Sequence, residues 1–321
     1  MKKYSYVMIG DPMAVRGTKT LKEPLLSGLW LWHKAFDKFG KKGEVRLLRR
    51  KGDFEDYSCI HLNMTGGNLG LLHRIRDELG DSSSTKIVCN LDFDVSAWGR
   101  NWMHPTLLEK ELQCADILFH VEPVGASVLE FALKRKVYCL PHPVDIDNID
   151  SYKTDDMEPY TAFIFHRYYP DITIPYFAIR DLPLYSVLLG YKGGNVPALT
   201  MYDQYYGYLP FIEMIEAMSL ATLGLDLFHG YSYGRAVCEF AALAVPCVCS
   251  ETIAAGQRCF PDLVVKPFDI KKTHDLMEKL LKDKEFYQSV YTKAYKEVAY
   301  YSLKNCYERM AQILEEIEAK K

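Results

Sequence analysis

Residues 223–250 read LGLDLFHGYSYGRAVCEFAALAVPCVCS, and this stretch contains one complete strand–helix–strand unit. It opens with a short apolar run, passes through a loop that contains Gly230 and Gly234, and closes with a second apolar run at 246–250. Between them, residues 235–243 have the small and apolar side chains of a buried helix. The pattern predicts a strand, a glycine-containing loop, a helix, a tight turn and a parallel strand.

The loop in this unit is suited to an anionic or sugar-like ligand. Gly230 and Gly234 allow the backbone to approach a ligand closely. A helix that starts near Arg235 offers free amide groups and the positive end of its dipole to a phosphate. Glu239, one turn further on, can accept two hydrogen bonds from a diol such as a ribose. The alternative is that Glu239 only interacts favourably with the helix dipole.

The same alternation of strands and helices runs through the whole chain. Continuous apolar runs such as 86–91 and 116–121 alternate with helical segments such as 69–79. Strands without polar alternation are typical of parallel sheets that are covered on both faces. A polar stretch at 145–159 interrupts the pattern, which then restarts. The predicted fold class is α/β, with two doubly wound, Rossmann-like domains that bind ligands at the carboxyl ends of their strands.

Composition and charge exclude several classes of protein. The chain has 321 residues, of which 49% are hydrophobic and 25% charged, so a disordered protein is excluded. A net charge of -3 gives no basic excess for nucleic acid. The nine cysteines include no C-x-x-C pair and no zinc-like spacing, which favours free thiols in a reducing compartment. The short apolar run near the start is no secretory signal, and we expect a cytoplasmic protein.

Residues 223–250 resemble the donor-binding segment of retaining GT-B glycosyltransferases of the family-4 (glycosyl transferases group 1) type. That family has the pattern E-G-F-G-x-P-x-x-E-A-x-A-x-G-x-P-V-V-A-S. Tyr233 and Gly234 match its aromatic–Gly pair, and Glu239 matches its second Glu. Residues 264–269, VVKPFD, resemble its L-V-x-P-x-D, and residues 141–145, PHPVD, resemble its P-N-G-V-D turn. The resemblance covers most of the chain in order.

The resemblance implies two domains that face a cleft. Residues 1–150 would form the acceptor-side domain, and residues 158–302 the domain that binds a nucleotide sugar. A final helix at about 303–321 would pack back on the first domain. The implied activity is the transfer of a hexose from a UDP- or GDP-linked donor to an acceptor hydroxyl, with retention, on a glycan, lipid-linked or protein acceptor. No metal and no further cofactor is implied.

The resemblance, together with the position of polar residues after predicted strands, gives the candidate site residues. The catalytic candidates are Glu239, Arg167, Asp92 and Asp94. The candidates for donor binding are Gly17, Lys192, His229, Tyr231, Ser232, Tyr233, Gly234, Arg235 and Glu239.

Two departures from the family pattern leave alternatives open. Tyr231 occupies the position of the first Glu in the E-x7-E pair, which usually contacts the transferred sugar. Arg167 fits the arginine that clamps the diphosphate, but the family's following Lys is absent, and Lys192 is a candidate for the missing charge. The alternatives are a non-catalytic partner subunit that binds a sugar nucleotide and an epimerase with the same fold.

The acceptor side is less specific. Asp92 and Asp94 follow a predicted strand and should therefore lie at its carboxyl end. Three interpretations remain: loop capping, acceptor binding or acid–base work in the cleft, and a divalent metal site. The metal is disfavoured because the chain order indicates the GT-B fold.

The segment 30–51 combines tryptophan and phenylalanine with several lysines and arginines. Basic residues beside aromatic ones can dock on anionic lipid, which would place the protein at the inner face of a membrane. The alternative is a core helix with a solvated polar side.

Overall fold

The structure is a computed structural model, and its description covers residues 2–10, 28–46, 54, 56–65, 68–80, 83–92, 105–154, 161–165, 173–189, 201–207 and 209–320. These residues divide into two compact units. The N-terminal unit contains the described residues up to Pro143 together with those from Tyr301 onward. The C-terminal unit runs from Val144 to Tyr300.

The N-terminal unit contains a parallel six-stranded sheet. Its strands are β1 (Ser5–Ile9), β2 (Lys42–Arg46), β3 (Cys59–Asn63), β4 (Lys86–Leu91), β5 (Ile117–His120) and β6 (Tyr138–Cys139). Its first helices are α1 (Leu31–Phe39), α2 (Leu71–Leu79), α3 (Pro105–Gln113) and α4 (Pro123–Leu133). The spatial order is β2-β1-β3-β4-β5-β6, and every neighbouring pair is parallel. The order therefore reverses between β1 and β3.

The C-terminal unit contains a second parallel sheet of six strands. These are β7 (Thr161–Phe165), β8 (Tyr185–Leu189), β9 (Gln204–Tyr206), β10 (Leu223–Asp226), β11 (Cys247–Ser250) and β12 (Val264–Val265). The helices are α5 (Ile146–Asp150), α6 (Thr173–Ile179), α7 (Phe211–Ser219), α8 (Arg235–Ala242), α9 (Ala254–Cys259), α10 (Ile270–Lys282) and α11 (Lys284–Glu297). The order is β12-β11-β10-β7-β8-β9, all parallel.

Burial explains why the strands lack polar alternation. All six residues of β4 and all four residues of β10 and of β11 are buried, as expected for strands covered on both faces. Helix α8 packs so closely on β10 that a Cβ at Gly224 would come within 2.8 Å of the Phe240 ring. The predicted α/β fold with two doubly wound sheets is thus confirmed.

The last helix, α12 (Leu303–Glu318), belongs to the N-terminal unit and packs on α1. The rings of Tyr307 and Phe36 meet edge-to-face with centroids 5.0 Å apart. The sequence from residue 272 onward predicts a nearly all-helical stretch, and the structure confirms it as successive helices, of which two begin at capping side chains. Asp283 accepts a hydrogen bond from the Phe286 amide at 2.9 Å, and Ser302 accepts one from the Asn305 amide at 3.2 Å.

Other boundaries also differ from the sequence predictions. The second strand was predicted at 45–48, but β2 occupies Lys42–Arg46. The polar stretch at 145–159 was predicted to be a linker, but α5 lies within it and packs on α8. Tyr295 on α11 donates a hydrogen bond to Asp150 at 2.9 Å, which ties the end of α5 to the C-terminal unit.

Candidate functional site

The C-terminal sheet has its topological switch point between β7 and β10. The chain proceeds from β7 to β8 and β9 on one side, and β10, β11 and β12 lie on the other side. The strands that come next in the chain after β7 and β10 therefore lie on opposite sides, and ligands of doubly wound sheets bind at the carboxyl ends of the strands at such a point. The loop after β10 contains residues 227–234. Arg167 follows β7 by two positions in the sequence and itself lies outside the described residues.

The loop after β10 is fixed by the turn that follows β11. Thr252 Oγ1 donates a hydrogen bond to the Phe228 carbonyl at 2.7 Å. The Ser232 amide donates to the Thr252 carbonyl at 3.2 Å, and the Ala254 amide donates to the Ser232 carbonyl at 2.9 Å. Because these hydrogen bonds hold the loop in one conformation, its outer side chains lose little conformational entropy when a ligand binds.

Gly234 is required where this loop meets α8. Its φ of +86° lies in the left-handed region, which only glycine adopts readily. A Cβ at this position would also lie 2.3 Å from Cγ2 of Ile253, closer than side chains tolerate. The Gly234 amide donates to Ser232 Oγ at 3.1 Å. Glycine here lets the chain turn sharply into α8, so that the first helical residue is Arg235.

Glu239 is a buried charge one turn inside α8. Its side chain is 1% exposed, and its Oε1 lies 3.1 Å from Nε of Arg235, whose side chain is 24% exposed. The Arg235 guanidinium also lies over the Phe211 ring, 5.4 Å from the centroid. A buried carboxylate costs several kcal/mol unless it is paired. The pairing explains how α8 keeps an acid inside the unit, directly after the switch-point loop.

The outer face of the loop carries exposed rings. Tyr231 is 44% exposed, and His229 is also exposed. The His229 ring stacks on Phe268, which follows β12, with centroids 5.8 Å apart and planes inclined by 29°. Tyr233 is 6% exposed and belongs to the core. The structure thus brings the predicted donor-binding residues 229–235 and Glu239 into one loop and helix, but with different degrees of access.

In the N-terminal unit, Asp92 ends a chain of hydrogen bonds at the carboxyl end of β4. The Trp32 indole donates from Nε1 to Nδ1 of His142 at 2.9 Å. His142 Nε2 lies 2.6 Å from Oδ1 of Asp92. Because an indole N–H can only donate, Nδ1 of His142 accepts and Nε2 carries the proton that is donated to Asp92. Trp32 and His142 are buried, and only Asp92, at 26% side-chain exposure, reaches the surface.

A second buried chain runs through the same sheet. Tyr6 Oη lies 2.5 Å from His61 Nδ1, and His61 Nε2 lies 2.7 Å from Oδ1 of Asn90. Burial lowers the pKa of His61 to about 3, so the ring is neutral at physiological pH. With Nε2 donating to Asn90, Nδ1 accepts from Tyr6. Nδ2 of Asn90 is buried and has no hydrogen-bond partner among the described residues.

Four predicted site residues lie outside the described residues: Gly17, Asp94, Arg167 and Lys192. Three residues that the site geometry points to were not among the predictions: Trp32, His142 and Phe268. For His142 the available signal was its place in the PHPVD turn after a strand. Nothing in the sequence marked Trp32 or Phe268 as different from core aromatic residues.

Three of the four Trp and Phe side chains in segment 30–51 are buried and are therefore not available to a lipid surface. Trp30, Trp32 and Phe36 are 4%, 0% and 0% exposed, so the core-helix interpretation is correct for them. Within the described part of the chain, no helix combines the length and hydropathy needed to cross a bilayer. The same residues contain no group of three or more potential metal-ligating His, Cys, Asp or Glu side chains.

Comparisons with known proteins identify the fold. No family model and no curated protein matches the sequence. An α-glucosyltransferase solved with UDP and a 13-mer DNA that contains an HMU base superposes with a TM-score of 0.67 and 13% identity, over 98% of this chain and 100% of that one. HepE from Anabaena, solved with UDP, gives 0.69 and 12% identity, over 98% and 100%.

The fold is that of GT-B glycosyltransferases. Sucrose-phosphate synthase from Thermosynechococcus elongatus also matches, with a TM-score of 0.66 and 14% identity, over 83% of this chain and 75% of that one. The matches with the α-glucosyltransferase and HepE cover 98% of this chain and 100% of each of those chains, so the shared fold includes both Rossmann-like units. The resemblance to the GT-B class, which the sequence predicted, is confirmed at the level of the fold.

Proposed function

We propose that the protein is a glycosyltransferase that moves a hexose from a nucleotide sugar to an acceptor hydroxyl. The observation that carries the proposal is the loop after β10, which lies at the switch point and leads through Gly234 into the helix with the buried Glu239. Two neighbours of the same fold were solved with UDP. The UDP bound to these neighbours supports a nucleoside-diphosphate sugar as the donor, and we propose a UDP- or GDP-linked sugar used in the synthesis of a polysaccharide or glycoconjugate.

On the donor side, Glu239 accepts hydrogen bonds from the ribose hydroxyls, in exchange for part of its interaction with Arg235. The free amides at the start of α8 face the diphosphate. Arg167 and Lys192 add positive charge, and Gly17 leaves room for the donor. The donor lies against the exposed loop residues His229 and Tyr231 and the half-buried Ser232, and Tyr233 supports the loop from the core.

On the acceptor side, Asp92 accepts a hydrogen bond from the attacking hydroxyl, and Asp94, two residues later in the sequence, assists it. The acceptor oxygen forms a bond to the anomeric carbon, while the bond between that carbon and the phosphate oxygen breaks. The electron pair goes to the diphosphate, which in a transfer with retention also takes the hydroxyl proton. The protein then contributes mainly charge neutralisation and positioning. His142 is a positioning residue, because it acts through Asp92.

The partners follow from this chemistry. The acceptor is a glycan, a lipid-linked saccharide or a protein, and the reaction uses no resident metal or cofactor beside the nucleotide sugar. With a net charge of -3, the chain offers no general attraction to nucleic acid. We place the protein in the cytoplasm.

A peripheral contact with the inner face of a membrane is proposed on charge alone. Lys38 and Lys41 are exposed near the end of α1, beside the half-buried Phe39, whereas Trp30, Trp32 and Phe36 are buried. Such a contact depends on anionic headgroups and weakens with salt. Sedimentation with vesicles of anionic and of neutral lipid tests it. Equal recovery of the protein with both kinds of vesicle contradicts it.

The experiment that tests the proposed function measures release of nucleoside diphosphate from UDP- and GDP-sugars, with and without a mixture of glycan acceptors. We expect release that increases when acceptor is added and that falls by at least about 100-fold in Glu239→Gln. Conversion of the sugar without any acceptor indicates an epimerase instead.

The second candidate is a non-catalytic subunit that binds a sugar nucleotide. It is favoured by Tyr231, an exposed aromatic residue where the resembled family has a carboxylate. Donor binding without transfer or hydrolysis under any acceptor condition supports this second candidate.

A further inference from the structure

Phe268 has a conformation that bulky side chains avoid. Its φ of +67° lies in the left-handed region, where a non-glycine aromatic residue is an outlier. Strain of this kind persists only when the surroundings enforce it, and it concentrates at functional sites. The other described non-glycine residues with positive φ are Lys134 and Ala244.

The backbone around Phe268 is enforced by the start of α10. The Asp269 amide donates to the Lys266 carbonyl at 3.1 Å, and the Ile270 amide donates to the Phe268 carbonyl at 2.8 Å. Asp269 also caps the helix, since its Oδ1 accepts from the Lys272 amide at 3.0 Å. This turn explains the positive φ but not the aromatic side chain, because glycine would adopt the same turn without strain.

Core packing does not explain the ring either. The Phe268 side chain is 56% exposed, so most of its apolar surface stays in water. Its ring lies face-to-face with His229, at 5.8 Å and 29°. His229 belongs to the loop that the hydrogen bonds of Thr252 and Ser232 fix in place. Two rings from two rigid turns therefore form a stacked pair at the carboxyl ends of β10 and β12.

We propose that Phe268 and His229 form a stacking platform for a ring of the nucleotide-sugar donor. The inference rests on the proposed function and adds to it a residue, Phe268, and a mode of binding. Aromatic faces attract the flat C–H face of a pyranose and the π face of a base, and neither needs a charge. The platform is thus suited to stacking either the sugar or the base of the donor, and the test distinguishes between these two rings.

The test compares Phe268→Gly with Ala244→Gly. Both replace a left-handed residue by glycine, so both should raise the unfolding temperature, but only the first removes a ring from the platform. Affinity for UDP, UDP-glucose, GDP and GDP-glucose is measured by isothermal titration calorimetry for both variants and the wild type. We expect Phe268→Gly to bind about 3- to 10-fold more weakly, and Ala244→Gly to bind like the wild type.

The pattern of the loss identifies the ring. If the diphosphate and its glucose conjugate weaken equally, the platform stacks the base; if only the conjugate weakens, it stacks the sugar. Wild-type binding that Phe268→Gly leaves unchanged overturns this inference and leaves the proposed function standing. Absence of any nucleotide binding by the wild type overturns the proposed function and this inference with it.

Discussion

His142 donates a hydrogen bond from Nε2 to Oδ1 of Asp92 across 2.6 Å, and only one tautomer of the ring allows it. The Trp32 indole donates to Nδ1 of the same ring at 2.9 Å, so Nδ1 cannot carry a proton without losing that bond. Two buried side chains thereby fix the orientation of one partly exposed carboxylate. If Asp92 accepts a hydrogen bond from the acceptor hydroxyl, the orientation of the Asp92 carboxylate depends on His142, which does not contact the substrate.

We predict that His142→Ala lowers kcat for sugar transfer by about 10- to 100-fold, because a misplaced group loses much of its catalytic effect. The affinity for the nucleotide should not change, since His142 belongs to the other unit. His142→Gln places an amide N–H where Nε2 was and should restore most of the rate. Initial rates at varied acceptor concentration, combined with calorimetric donor affinities, check this.

The matched control is His73→Ala. His73 also contacts a carboxylate, Oε1 of Glu111 at 2.7 Å, but it lies on α2 and its partner lies on α3. A kcat for His73→Ala as low as that of His142→Ala would show that loss of any His–carboxylate pair in this unit reduces the rate, and the positioning role would be wrong.

Gly234→Ala is expected to destabilise the protein by about 3 kcal/mol, the sum of left-handed strain and overpacking. The new methyl group would have to displace Ile253, whose Cγ2 is 2.3 Å from the ideal Cβ position. Gly70→Ala is the control, since Gly70 is also left-handed, with φ +90°, but has no atom within 4 Å of the added Cβ. It should cost only about 1 kcal/mol. Equal losses in urea denaturation would show that the contact with Ile253 is unimportant.

Ala244→Gly is expected to stabilise the protein by about 0.5–1 kcal/mol. Ala244 has φ +60° directly after α8, where the strain on alanine exceeds the entropy that glycine loses on folding. In the resembled family, glycine occupies this position. Denaturant midpoints measured at constant m-value check the change, and a lower midpoint in the variant would contradict it.

The free energy of unfolding should decrease as the pH is lowered below about 6.5, because of His61. Burial lowers the pKa of this ring to about 3 in the folded protein, so only the unfolded chain takes up the proton in that window. The unfolded state is then favoured by about 2 kcal/mol at pH 5 relative to pH 7. His61→Gln should lose this part of the pH dependence, whereas Tyr6→Phe, which keeps the imidazole buried, should retain it. Identical pH slopes for the wild type and His61→Gln would refute the assignment.

The architecture could be predicted from the sequence because a strand that is buried on both faces lacks the alternation of apolar and polar residues. The strands β4 and β10, KIVCNL and LGLD, are mostly apolar and do not alternate with polar residues, and the glycine at 234 marks the turn that only glycine fits. Helix α5 was missed because Asp and Asn indicate a loop locally, while its stability comes from packing on α8 and from Tyr295, 145 residues away from Asp150.

The acceptor-side contacts could not be predicted from the sequence. Asp92 and His142 are 50 residues apart, and they meet because β4 and β6 flank β5 with their carboxyl ends at one edge. The spatial order of these strands is known only once the sheet is assembled, so the local sequence does not show that the two residues meet. The conformation of Phe268 was equally hidden, because a left-handed residue is signalled in sequence by Gly, Asn or Asp, not by an aromatic side chain.

The central claim is that the loop after β10 and Glu239 form a nucleotide-sugar site. Its most direct test is the unfolding temperature of the wild type and of Glu239→Gln in the presence of UDP, GDP and their sugars. We predict that one nucleoside diphosphate and its conjugates stabilise the wild type, by about 2.7 kcal/mol at 100 times the Kd, and leave Glu239→Gln unchanged. No shift with any nucleotide, or the same shift in both proteins, would contradict the account.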